Sequence, residues 1–133
     1  MSATEIQTRW SDLDALGHVG HTAVLTYLEE GRDSFLGSHG IRPDQYVVGR
    51  CSVTFHREID STRDAVTVEC AIRRLGRSSI TTSERVRAGD GSVAVEAEFA
   101  LVLWNPETRR SRPITDGERA ALDGTPKSGR GTG

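Results

Sequence analysis

Aromatic side chains are scarce in this chain: they make up 5% of its 133 residues, and hydrophobic residues of all kinds only 35%. The length suits one domain, but a single copy would have a thin core, so partner subunits are expected to complete it. A net charge of −2 with 27% charged residues leaves no basic footprint, which argues against nucleic-acid binding. No apolar run reaches a membrane-spanning length, and the N-terminus lacks the basic-then-apolar pattern of a signal segment. No membrane association is expected. The two cysteines, Cys51 and Cys70, form neither a C-x-x-C pair nor a dense framework. They are expected to be buried free thiols, consistent with a cytoplasmic protein.

The signatures of several enzyme classes are missing too. No serine sits in a G-x-S-x-G elbow, which removes the common serine-hydrolase reading. There is no P-loop and no strand–G-x-G-x-x-G–helix unit. Neither thiol has an activating neighbour in sequence, so cysteine catalysis has no support.

What the chain does have is concentrated near its start. The stretch Arg9-Trp10-Ser11-Asp12-Leu13-Asp14-Ala15-Leu16-Gly17-His18-Val19-Gly20-His21 runs straight into an amphipathic segment. A helix start offers unpaired backbone N–H groups and a positive dipole end, which suit an oxyanion. A carboxylate in the loop before it adds the means to attack a carbonyl or activate water. Asp14 is the candidate. The competing reading is a turn aspartate that satisfies local amides. Asp12 is expected to orient the loop. His18, His21 and the two aspartates are metal-ligand types, but no downstream Cys/His cluster completes a set, so no metal is expected.

Around this loop the pattern divides cleanly. Glu5–Trp10 reads as a strand with Ile6, Thr8 and Trp10 on one face. From Thr22 to about Ser38 the period is helical, with Val24, Leu28, Gly31 and Phe35 on the buried stripe. Gly31 there costs roughly 1 kcal/mol of helix propensity relative to alanine, which makes sense if the sheet passes close by. Glu29, Glu30 and Arg32 read as a solvated face with an ion pair between Glu29 and Arg32. Alternating strands follow over Val47–Glu58, Ala65–Leu75, Ser79–Arg87 and Val93–Trp104, with Arg109–Arg112 as a short returning piece. The breaks at Asp60–Asp64, Leu75–Ser78 and Gly89–Gly91 look like hairpin connections, so consecutive strands are expected to pair antiparallel. Thr115-Asp116-Gly117-Glu118 fits a capping box before a short helix over 116–123. Residues 124–133 are glycine-rich and polar and are expected to be disordered. The fold class is α+β.

This layout resembles the hotdog-fold thioesterases, in particular the hydroxybenzoyl-CoA thioesterase branch. The resemblance is carried by Asp12-Leu13-Asp14-Ala15-Leu16-Gly17-His18-Val19, by Tyr27, Glu30 and Arg32, by Leu75-Gly76-Arg77-Ser78-Ser79, and by Thr108-Arg109-Arg110 through Pro113. It implies a domain over 1–115 in which one long central helix is wrapped by a curled antiparallel sheet of about five strands. It implies hydrolysis of an acyl-CoA or acyl-carrier-protein thioester with no cofactor, CoA being part of the substrate. Asp14 would be nucleophile or general base, the backbone N–H of His21 the oxyanion donor, and Gly17 the residue that lets the loop turn. His18, Tyr27 and Glu30 are expected at the substrate. Arg77, Ser78 and Ser79 are expected at the CoA phosphates, at an interface between subunits of a homodimer or homotetramer. Many relatives read Gly-His-Val-Asn-Asn where this chain has Gly-His-Val-Gly-His; the main-chain donor of His21 survives that change, whereas side-chain contacts do not carry over. A hotdog dehydratase and a non-catalytic acyl-thioester binding protein are the alternatives on the same scaffold.

Overall fold

The computed structural model describes residues 2–59 and 65–123. Apolar alternation produces the strands where the pattern puts them: β3 is Ala65–Leu75, β4 is Ser79–Arg87 and β5 is Val93–Asn105. Two further strands flank them, β1 (Ser2–Gln7) and β2 (Tyr46–Phe55), and a two-residue β6 (Arg110–Ser111) pairs with β5. The order across the sheet is β1-β3-β4-β5-β2, with every neighbouring pair antiparallel. Two helices complete an α+β architecture, α1 (His21–Gly37) and α2 (Asp116–Asp123).

The order corrects one expectation. β3, β4 and β5 form the anticipated meander, but β2 pairs with β5 and not with β3. No hairpin therefore joins β2 to β3; the connecting residues 60–64 lie outside the described residues, as does the tail expected to be disordered. β1 ends at Gln7, short of Trp10. Asp12 accepts the Arg9 N–H on Oδ2 at 3.0 Å, and the Asp12 and Leu13 N–H groups donate back to the Arg9 and Trp10 carbonyls. These bonds wind Trp10–Asp12 into a 3-10 turn that leaves Trp10 81% exposed, while Ile6 and Thr8 are buried as expected.

α1 is 17 residues long and packs over β1, β3 and β4. It also reaches the start of β2, where Asp33 Oδ1 accepts from the Tyr46 hydroxyl at 2.5 Å. Its seat depends on Gly31: a β-carbon there would lie 2.4 Å from Val68 Cγ1. The close approach expected at Gly31 is thus real, and a valine side chain makes it. Arg32 does not pair with Glu29. It is buried beneath α1, donating from Nε to Glu84 Oε2 at 2.9 Å and from Nη2 to Glu84 Oε1 at 3.1 Å, with its guanidinium 3.8 Å above the Phe99 ring. The helical period counts a buried arginine as a polar position, and its partner on β4 is 52 residues away.

β2 is the other departure. Its register places Val48, Cys51, Val53 and Phe55 opposite Leu101, Phe99, Ala97 and Val95, on the face that α1 covers elsewhere. α1 meets this strand at Tyr46, and further along Cys51 and Phe55 are exposed; of the two thiols only Cys70 is buried. The opposite face of the sheet carries cross-strand ion pairs, Arg73 with Glu98 at 3.4 Å and Arg87 with Glu69 at 3.1 Å.

Candidate functional site

The loop before α1 is built by its own aspartates. Asp12 Oδ2 accepts from the Tyr27 hydroxyl as well as from the Arg9 N–H. Burial pushes the Asp12 carboxyl up, but the Tyr27 hydroxyl and the Arg9 backbone outweigh it and hold it below the usual carboxylate range. The same burial and hydrogen bond drive the Tyr27 phenol well above its ordinary value, so it remains a donor. Tyr27 is fully buried and serves the loop from beneath.

Asp14 sits at the turn itself. Its Oδ1 accepts from the Leu16 N–H at 2.9 Å and the His18 N–H at 3.2 Å. Its backbone brackets the same turn, donating to the His18 carbonyl at 2.7 Å and accepting from Gly17 at 3.0 Å. Gly17 has φ +78°, where an L side chain is strained, so the turn needs glycine. The turn-aspartate reading and the catalytic reading are therefore compatible: Oδ1 holds the loop, and Oδ2 has no hydrogen-bond partner among the described residues.

Backbone bonds carry this loop to the start of α1 and to the segment that follows β2. Gly20 N–H donates to the Asp12 carbonyl at 2.9 Å, and Val19 N–H donates to the Ile59 carbonyl at 2.7 Å. The α1 N-cap is Gly20, and no side chain caps the helix. Between these elements opens a cavity of about 700 Å³. Its polar wall is Asp14, His18, His21, His56, Arg57 and Glu58; its apolar wall is Val19, Val24, Phe55, Ile59 and Val95. Asp14 also borders a second hollow of about 410 Å³ toward Thr22 and Thr26.

Of the residues picked out from the sequence, Asp14, His18 and His21 meet in this cavity, with Gly17 in the supporting turn. Glu30 is exposed on α1. Arg77, Ser78 and Ser79 lie at the other end of the sheet: Ser79 pairs with Val102, seven residues along β5 from the cavity residue Val95, which is about 23 Å of strand. Glu58 was missed. Its Oε2 stands 3.2 Å from His18 Nε2, and only the path of the chain beyond β2 brings the two together. His56 and Arg57, which directly follow β2, also line the cavity, with His56 Nε2 2.8 Å from Glu96 Oε1. Among the described residues, no group of three or more His, Cys, Asp or Glu side chains is placed to hold a metal ion.

Residues 8–122 match the thioesterase-like superfamily. The chain belongs to that family. Among solved structures it is similar to a thioesterase from Thermus thermophilus, complexed with coenzyme A and Zn. That likeness has 30% identity, a TM-score of 0.80, and covers 90% of each chain. It is similar as well to a predicted thioesterase from Bacillus stearothermophilus, at 28% identity and TM-score 0.83 over 96% of this chain and 98% of that one. The DHNA-CoA thioesterase of Staphylococcus aureus, at 18% identity, 85% of this chain, 80% of that one and TM-score 0.75, shares the fold. No protein of curated function matches the chain. The superfamily and the curled antiparallel sheet agree with a hotdog thioesterase. Among the described residues, no helix is long and apolar enough to cross a membrane.

Proposed function

We propose that this thioesterase-family protein hydrolyses an acyl-CoA to the free acid and CoA, with Asp14 as the reacting carboxylate. The observation that carries this reading is the meeting, in one cavity, of a carboxylate with one oxygen unpartnered and a helix start that no side chain caps. Asp14 either takes a proton from water as water attacks the thioester carbon, or attacks that carbon itself. The His21 N–H stabilises the charge that develops on the carbonyl oxygen. The C–S bond then breaks, and CoA leaves as a thiolate that needs no metal to depart; where Asp14 has attacked directly, water then hydrolyses the mixed anhydride, releasing the acid and restoring the carboxylate. Val24, Phe55, Ile59 and Val95 hold the acyl group. The Thermus relative's complex with coenzyme A supports CoA as the thiol.

The phosphates of CoA would fall to Arg77, Ser78 and Ser79 of a second copy. In one chain these residues are at the wrong end of the sheet, but β2 is an edge strand with an uncovered apolar face. If two copies pair antiparallel along β2, the two-fold reverses the ends of the partner's sheet and brings its β3–β4 turn to the end where Asp14 lies. A homodimer is therefore the smallest complete enzyme in this reading.

The test is thiol release from a panel of aryl, short-chain and long-chain acyl-CoAs, with Asp14→Asn beside the unaltered protein. The expected result is a fall in kcat of about 100-fold or more with substrate binding retained. Equal rates in both proteins would remove Asp14 from the chemistry and turn attention to Glu30. Binding of CoA esters without release from any of them would favour a non-catalytic binding protein.

A further inference from the structure

The β3–β4 turn is held from outside the sheet. Gly76 O accepts from Arg119 Nη2 at 2.8 Å, Arg77 O from the Ile114 N–H at 2.8 Å, and Ser78 O from the Leu103 N–H at 2.8 Å. The Gly76 N–H closes the turn on Ser79 O at 2.8 Å, and a β-carbon on Gly76 would lie 2.4 Å from Ser79 Oγ. A peptide's carbonyl and the next residue's N–H point in opposite directions. With three successive carbonyls tied to the protein, the N–H groups of Arg77 and Ser78 are turned away from those ties, beside the exposed Arg77 side chain. Donors without intervening carbonyl oxygens are what an anion requires.

Two of those three ties come from the C-terminal segment, which is itself fastened. Arg112 donates from Nη1 and Nη2 to the two carboxylate oxygens of Glu118, each at 2.8 Å, and its N–H donates to Leu103 O at 3.0 Å. Thr115 and Glu118 close the capping box of α2, and Leu122 is fully buried. Arg119 thus reaches Gly76 from a helix that is clamped at its start and anchored at its end.

We propose that α2 is a positioning element for CoA recognition, in which Arg119, through the Gly76 carbonyl, holds the β3–β4 turn with its donors facing the phosphates. Arg119 acts through the turn and does not touch the ligand. This rests on the assignment of Arg77–Ser79 to the CoA phosphates, and the experiment separates the two. Free CoA is titrated calorimetrically into the full-length wild type, Arg119→Met, Arg119→Lys, Arg77→Met and the Arg77→Met/Arg119→Met double variant, with thermal midpoints recorded for each. Arg119→Met is expected to weaken CoA binding about tenfold, the loss of one charge-assisted hydrogen bond. Arg119→Lys, which keeps a single donor for the Gly76 carbonyl, is expected within about threefold of wild type. In the Arg77→Met background, Arg119→Met is expected to cost about threefold and not tenfold, because the cation it helps to place is gone and only the turn's N–H donors remain to be aimed. Weakening by Arg77→Met without any by Arg119→Met would overturn the role of α2 and leave the phosphate assignment standing. So would additive effects, or a loss of binding that follows the thermal midpoint and is not restored by lysine. Equal CoA binding by wild type and Arg77→Met would remove the turn from the CoA site, and both readings would fall.

Discussion

Single residues in this protein do work that their type alone does not announce. Gly31 is one. With Val68 pressed against it, Gly31→Ala is expected to destabilise by about 1–2 kcal/mol, the overpacking cost exceeding the gain in helix propensity. Chemical denaturation would show it, and Val68→Ala in the same chain should recover part of the loss. The close approach was legible because glycine weakens a helix, and on a buried stripe the compensation is a neighbour packed where a side chain would stand. Arg32 was not legible, since nothing local distinguishes a buried arginine from a solvated one. Its pair with Glu84 sets a sharper expectation. Glu84→Leu alone strands a buried cation and should cost about 3–5 kcal/mol, whereas Arg32→Met with Glu84→Leu should restore most of that, read as the urea midpoint. Failure of the double variant to recover would mean that the charges have a further use. At the loop, Asp14 stood out as a carboxylate just before a helix start and Gly17 through the family resemblance, and the turn closes between Asp14 and His18 with Gly17 at positive φ. Glu58, which meets His18, did not stand out, because most of the chain's first half separates the two.

Among the elements, α2 and the meander were readable for the same reason: their defining contacts are short-range. Thr115 and Glu118 lie three residues apart, and β3, β4 and β5 follow one another through tight connections. The place of β2 beside β5 depends on a long-range pairing that alternation cannot encode, since alternation says which face a residue takes and not which strand it meets. α2 also carries a pH prediction. The Arg112 guanidinium holds the Glu118 carboxyl below the usual carboxylate range, helped by the Thr115 N–H and hydroxyl, with burial opposing. A depressed carboxyl contributes stability that is complete above its unfolded value and is lost as the pH falls through its lowered one. The protection factors of α2 amides, exchange rates corrected for the intrinsic pH dependence, should therefore be high at neutral pH and fall in acid below the ordinary glutamate range. In Glu118→Gln they should be lower at neutral pH and nearly constant across the same interval. An acid response of equal size in Glu118→Gln would assign the effect to another group.

For the molecule as a whole, the decisive feature is that the parts assigned to one reaction stand at opposite ends of a single sheet. If a dimer brings them together, two damaged proteins should repair each other. Asp14→Asn keeps Arg77, and Arg77→Met keeps Asp14. A hybrid dimer then holds one intact site and one doubly damaged site. Random exchange in an equal mixture makes half the dimers hybrid, so activity should rise toward about a quarter of wild type. Mixtures no more active than their components would place both groups of each site on one chain. Val53→Arg, on the uncovered face of β2, is expected to give a monomer by light scattering and to lose CoA turnover with it.

The separation along β5 then has a consequence for rate. A site divided between two chains makes each molecule's output depend on how many others surround it. Serial dilution below the dissociation constant should lower turnover per chain, and saturating CoA, bound by both subunits at once, should delay that decline. Abundance would then act as a throttle, with thioester hydrolysis rising as the square of the protein present when copies are few.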